Sequence, residues 1–207
     1  MRALDVRRIT GLEALLWILA TLVPLVLVAR APGMRDAVDA YLAAIERGDA
    51  DAAFDLLASD PMLVIPLAGP YGGERAARDA IEWRVAVDHR LHVDRVLERD
   101  DSDGRLALEV RAESRVLDLL GAEQRYQAHY FVRGGRVRGE MWLPADRAAD
   151  AAARDSLAAF GRWLDAEHPG DRDALFEAGG PRWTGRTADL WLARLEEWRA
   201  GRSRDGA

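Results

Sequence analysis

The chain has 207 residues, 49% of them hydrophobic, and its 29 basic against 35 acidic residues leave a net charge of −6. This is enough to bury a core, and with no concentrated cationic face it excludes nucleic acid as a partner, because phosphate binding needs one. Cysteine is absent, which excludes disulfides, thiol catalysis and thiolate metal sites; lysine and asparagine are absent too, which reads as the coding bias of a high-GC bacterial genome.

From Leu12 to Ala29 the one charge is Glu13, and the run Leu15 to Val28 is otherwise apolar. A membrane-spanning helix needs about 20 such residues, and roughly 17 suffice. Pro24 is tolerated in a span. Arg2, Arg7 and Arg8 precede the run, and Arg30 and Arg35 follow it. The expectation is a single-pass anchor over residues 12–29, within an N-terminal segment 1–33, with the following domain outside the cytoplasm. Two alternatives stand. One is a cleaved signal peptide at Ala29-Arg30-Ala31, against which Pro32 speaks. The other is a start at Met34, giving a cytoplasmic form.

Pro32-Gly33 breaks the chain. Arg35 to Arg47 places Val38, Tyr41, Leu42 and Ile45 at helical spacing, and Gly48 stops that helix. Asp49 or Asp51 caps a second short helix. Met62-Leu63-Val64-Ile65 reads as a short strand ahead of a Pro/Gly loop. Glu74 to Val87 reads as a third helix with Ala77, Ala80, Ile81 and Trp83 inward. Period-2 alternation then predicts strands over 89–98, 105–116, 124–133 and 136–143, with turns at Asp101 to Gly104 and at Gly134-Gly135. From Ala145 the chain turns helical, with one stripe at Leu157, Phe160 and Leu164 and another at Trp191, Leu195 and Trp198. The predicted class is α+β: a cone of three helices packed on a curled antiparallel sheet over 34–146, preceded by one transmembrane helix and followed by a helical extension over 147–207.

In that extension Asp171 to Glu177 echoes Asp49 to Asp55, Trp183-Thr184-Gly185 echoes Tyr71-Gly72-Gly73, and Ala159-Phe160 echoes Ala40-Tyr41. The segment reads equally as a degenerate half-repeat and as chance similarity in a biased composition. Either way its tryptophans need a surface to bury against: the outer face of the sheet, another protomer or a partner protein.

Three local motifs carry a family resemblance. They are Ala43-Ala44-Ile45-Glu46-Arg47-Gly48-Asp49, then Gly72-Gly73-Glu74 running to Ala80-Ile81, then Gly135-Arg136-Val137 leading to Glu140-Met141-Trp142. In this order the chain resembles the nuclear transport factor 2-like superfamily, which includes ketosteroid isomerase and the SnoaL-like polyketide cyclases. The resemblance implies a pocket between the concave sheet face and the helices, with a catalytic carboxylate in the enzymes. The matching positions here are Ile65, before Pro66, and Leu143, after Trp142, so both carboxylates are replaced by aliphatic residues.

The amphipathic pattern places Tyr41, Ile65, Trp83, Ser114, Tyr126, Tyr130, Met141 and Leu143 around this pocket, with Arg95 as the charge on the concave face. Tyrosines near a pKa of about 10 are poor bases. The expectation is therefore a membrane-tethered, non-catalytic domain that binds a small apolar molecule or a protein partner. The alternative is a small SnoaL-like cyclase, isomerase or dehydratase acting on a hydrophobic substrate. Triad, phosphate-loop and close-spaced metal motifs do not occur, and no cofactor is expected.

On the opposite face, a two-residue Gly134-Gly135 turn pairs His129 with Glu140 and Gln127 with Trp142. With Glu113 and His92 alongside, this makes a row His92–Glu113–His129–Glu140 across the sheet. Imidazole and carboxylate ligands suit a metal or a pH-sensitive interface, while ordinary cross-strand pairing on a solvated or homodimer-forming face is the plainer reading.

Overall fold

The computed structural model describes residues 33–65, 67, 69–122, 124–177 and 180–205. The expected anchor over residues 12–29 lies outside them; among the described residues no helix is long and apolar enough to cross a membrane.

Helix α1 (Met34–Glu46) turns Ala37, Val38, Tyr41, Ala44 and Ile45 inward at three- and four-residue spacing. It ends at Gly48, whose φ of +78° suits glycine. Asp49 caps α2 (Ala50–Asp55) by accepting a bond from the Ala52 amide. The predicted short strand is in fact β1 (Leu57–Ile65), which forms a hairpin with β2 (Gly69–Gly72) before α3 (Gly73–Ala86). The sheet continues with β3 (Arg90–Asp100), β4 (Arg105–Glu113), β5 (Gln124–Arg133) and β6 (Arg136–Pro144). The strand order is β2-β1-β6-β5-β4-β3, so β1 lies parallel to β6 and closes the curl against the chain's last long strand. The architecture is α+β, with helices on one face of a curled sheet.

Two local features depart from the alternation pattern. The second predicted strand stops at Glu113, because Ser114 accepts a hydrogen bond from the Leu117 amide and caps a helix, α4 (Arg115–Leu120), closed by Gly121 in the left-handed region. In β6, Val137 does face Val132, but a bulge at Arg138 then shifts the register. Glu140 comes to face Tyr130, His129 faces Met141, and Ala128 faces Trp142. A bulge moves every later side chain to the opposite face. Glu140 and Trp142 thus enter the interior, while Met141 and Leu143 leave it.

The extension comprises α5 (Arg147–Glu167), α6 (Pro169–Leu175), a hairpin of β7 (Phe176–Glu177) and β8 (Gly180–Pro181), a 3-10 turn at Gly185–Thr187 and α7 (Ala188–Asp205). Helix, short helix, hairpin, helix is also the order from α1 to α3. Both predicted stripes are buried, but not on the outer sheet face. Leu157, Phe160, Leu164, Trp191, Leu195 and Trp198 form a second core with Val87 at the end of α3 and with Val116 and Leu120 of α4. Trp83, expected inside the cone, also packs against Trp183 and Trp191 at centroid distances of 4.5 and 6.3 Å.

The extension is fixed on α3 by a close approach at Gly185, where a Cβ would lie 2.8 Å from the Glu82 Cβ. Gly185→Ala is expected to cost about 1–3 kcal/mol in urea unfolding, as overpacking against a helix does, with a shift in tryptophan emission as Trp183 is displaced. Unchanged stability and emission would show that the approach is slack.

Candidate functional site

Inside the cone, the charge expected from the sequence is absent and a different one is present. The side chain of Arg95 is 70% exposed and pairs with Glu109 at 2.5 Å. In its place Arg84 of α3 and Glu140 of β6 form a fully buried ion pair, with Arg84 Nη1 3.0 and 3.2 Å from the two carboxylate oxygens. Tyr41 of α1 donates to Glu140 Oε2 at 3.0 Å, Trp142 Nε1 donates to Oε1 at 2.6 Å, and Arg84 Nη1 also donates to the Tyr41 hydroxyl at 3.2 Å. Burial is the largest influence and works against the Arg84 charge, but the Glu140 charge and hydrogen bond together with Tyr41 and Tyr130 outweigh it, and the guanidinium pKa lies above its ordinary value. Tyr41 and Tyr130 are pushed well above 10 by burial first and by the Glu140 charge second, so both remain neutral.

This carboxylate is saturated with donors, but its arginine is not. Arg84 Nε and Nη2 have no partner within the protein. Arg84 lines a small cavity of about 60 Å³ together with Ile65, Leu67, Ala80, Trp83, Ala112 and Leu117, and with Ser114, Tyr126 and Trp142. Gln124 and His89 complete its polar lining, and Gln124 Nε2 and His89 Nε2 likewise have no partner. Buried polar atoms are seldom left unpaired, so several around one cavity point to something that pairs with them there. His89 stacks on Trp142 at 5.5 Å, and burial, followed by the nearby Arg84 charge, holds its pKa well below 6.5. It is therefore a neutral imidazole at physiological pH.

The sequence reading placed eight residues here. Ile65, Trp83, Ser114 and Tyr126 do line the cavity. Tyr41 and Tyr130 are buried deeper, around Glu140. Met141 and Leu143 are corrected to the outer face, Leu143 being 44% exposed, because of the Arg138 bulge. The expected row on that face is broken twice, by this bulge at Glu140 and by the β4–β5 register, which sets His129 away from Glu113. His92 does approach Glu113 at 2.9 Å, but His129 faces Ala107 and Met141, and Glu140 is inside. Among the described residues no three His, Asp or Glu converge on a metal position.

Arg84, His89 and Gln124 were missed. Arg84 could have been found: it follows Ala77, Ala80 and Ile81 on the inward stripe of α3, where a cation demands an inward carboxylate. Gly139, beside the bulge and packed 3.3 Å (from an ideal Cβ) off the Met62 carbonyl, was the corresponding signal in β6.

Comparison with known proteins finds no matching protein family and no matching curated protein. Solved structures similar in fold to just over half of the chain do exist. An epoxide hydrolase/cyclase-like enzyme, SalBIII, of pyran ring formation in the polyether salinomycin is 15% identical, with a TM-score of 0.46, over 54% of this chain and 90% of that one. The Δ5-3-ketosteroid isomerase of a Mycobacterium species is 16% identical, with a TM-score of 0.46, over 55% and 92%. An NTF2-like protein of unknown function from Cytophaga hutchinsonii is 15% identical, with a TM-score of 0.45, over 56% and 92%. At these TM-scores and identities the likeness carries no argument about this chain.

Two outcomes follow from the site itself. Arg84→Met or Glu140→Leu alone is expected to destabilise by about 3–5 kcal/mol, because each leaves a buried charge unpaired, and the double variant to recover most of that loss. Additive losses in denaturant titrations would mean that the two side chains are not coupled. For His89 the folded pKa lies below the ordinary 6.5. As pH falls below about 6.5 the unfolded chain takes up a proton that the folded chain refuses, so stability present above that pH is progressively lost. His89→Gln should flatten this part of the stability–pH curve, and an unaltered curve in the variant would refute the assignment.

Proposed function

We propose that the cone binds a small, uncharged molecule through one hydrogen-bond-accepting oxygen, a carbonyl being the simplest, with Arg84, Gln124 and His89 around that oxygen. The observation that carries this reading is that Arg84, Gln124 and His89, each with an unpartnered buried nitrogen, line one mostly apolar cavity. Charge balance selects the ligand class. Glu140 already neutralises Arg84 and His89 is neutral, so a carboxylate would add an uncompensated charge in a buried site. A neutral oxygen acceptor satisfies the donors without that cost. At about 60 Å³ the cavity has space for about two waters, which a small ligand would displace.

His89 supports a second reading, an enzyme of the isomerase or cyclase type. A neutral imidazole nitrogen beside donors arranged for an oxygen is the pairing needed to move a proton next to a carbonyl. His89 Nε2 takes a proton from the carbon adjacent to the carbonyl, and the electron pair moves to the oxygen, held by Arg84 and Gln124. The proton then returns to a carbon of the same molecule.

Acetone and acetate have the same shape and differ in charge, so they test the first reading directly. Bound carbon-13 acetone should be detected by NMR, acetate should bind at least about tenfold more weakly, and Gln124→Leu should weaken acetone by about three- to tenfold, the value of one hydrogen bond. Equal or tighter acetate binding, or indifference to Gln124→Leu, would sink it. Exchange of the acetone methyl protons in heavy water decides between the readings. Acceleration by the protein that vanishes in His89→Gln marks the enzyme, and binding without exchange marks the binder.

A further inference from the structure

The cavity is bounded on two sides by walls of different character. On one side Ile65, Leu67 and Trp142 separate it from an open groove of about 710 Å³ along α5. On the other, Tyr71 and Trp183 separate it from a solvent-open cleft of about 540 Å³ whose rim carries Arg75, Asp79, Arg182 and Arg186. Trp142 is fixed by its 2.6 Å bond to Glu140 and its stack on His89. Trp183 is fixed as well. Its Nε1 donates to the Leu67 carbonyl at 3.1 Å, its ring lies 4.2 Å from Trp191, and the following Gly185 abuts α3.

Tyr71 packs against both cores but is tethered by a single long hydrogen bond. It sits on the four-residue edge strand β2, next to Gly72, and the strand is bracketed by Gly69 and Gly73 at φ of +93° and +79°. Its hydroxyl makes one bond, to the Trp183 carbonyl, at 3.5 Å, the outer limit of a hydrogen bond. An edge strand lacks a second neighbour, and glycines at both ends let the backbone turn without side-chain cost. We propose that Tyr71 is the gate of the cone, swinging against the fixed Trp183 to admit ligand from the charged cleft; this rests on the cone cavity being the binding site. The C-terminal extension thereby supplies half of the doorway, and the entering molecule must pass a polar rim before reaching an apolar chamber.

The test follows bound carbon-13 acetone by saturation-transfer NMR on the full chain. Tyr71→Ala should raise the exchange rate between free and bound acetone by about tenfold or more, with a smaller change in affinity, as a gate rather than a contact requires. Tyr71→Phe, which keeps the ring and removes only the tether, should give an intermediate rate and guards against misfolding of the alanine variant. Leu67→Ala, on the opposite wall, enlarges the cavity and should raise the rate less than Tyr71→Ala does. Acetone bound at the same rate in wild type and both Tyr71 variants, or faster only in Leu67→Ala, overturns the gate and leaves the site standing. Failure of the wild type and all variants to bind acetone overturns the site and the gate with it.

Discussion

The interior of this fold is organised by one buried ion pair. Arg84 and Glu140 lie on different elements, and their pairing draws in Tyr41 from α1 and Trp142 from β6. Taking two charges out of water costs several kcal/mol per ion, and the pair is tolerable because Glu140 receives bonds from three different side chains. The geometry is therefore constrained: α1, α3 and β6 must meet at one point, and the Arg138 bulge must turn Glu140 inward for that meeting to occur. An arginine that spends one terminal nitrogen on this pair has its Nε and its other nitrogen left without a partner in the protein. The structural strut and the polar lining of the cavity are two sides of the same side chain.

The extension determines what kind of cavity this is. A cone without it would be open between α3, α4 and β2. Here the second core packs onto those elements, and Trp183 is carried in as a wall, bonded to Leu67 and tilted against both Trp83 and Trp191. The tryptophans of the extension are thus accounted for by packing within the chain. The same packing that shields them shrinks the chamber and makes access a question of which wall yields.

The neutrality of the site follows from its burial. Burial keeps Tyr41, Tyr126 and Tyr130 protonated and His89 deprotonated, so the one full positive charge near the cavity is the one Glu140 balances. An uncharged chamber with several donors discriminates by what it leaves unpaired. A ligand without an acceptor leaves buried N–H groups unsatisfied, and a charged ligand lacks a counterion.

Much of the architecture was legible in the sequence, because helix and strand periodicities reflect which face of an element is buried. The positions of α1, α3, β5 and β6, the Gly134-Gly135 turn and the two stripes of the extension all follow from local spacing. The side of the sheet on which Glu140 falls does not. One bulged residue, Arg138, inverts everything after it, and a bulge is stabilised by neighbouring strands that local sequence does not see. For the same reason Met141 and Leu143 read as interior and lie outside. Ser114 and Val116 read as strand because a cap of three residues' reach looks like one more alternation. The surface that covers Trp183 and the convergence of Arg84, His89 and Gln124 come from elements far apart in the chain. The sequence by itself determined which segments have a buried face, since burial is written into each element's own period. Only the tertiary structure decided which charges meet and what closes the cavity, since those depend on register and packing between elements.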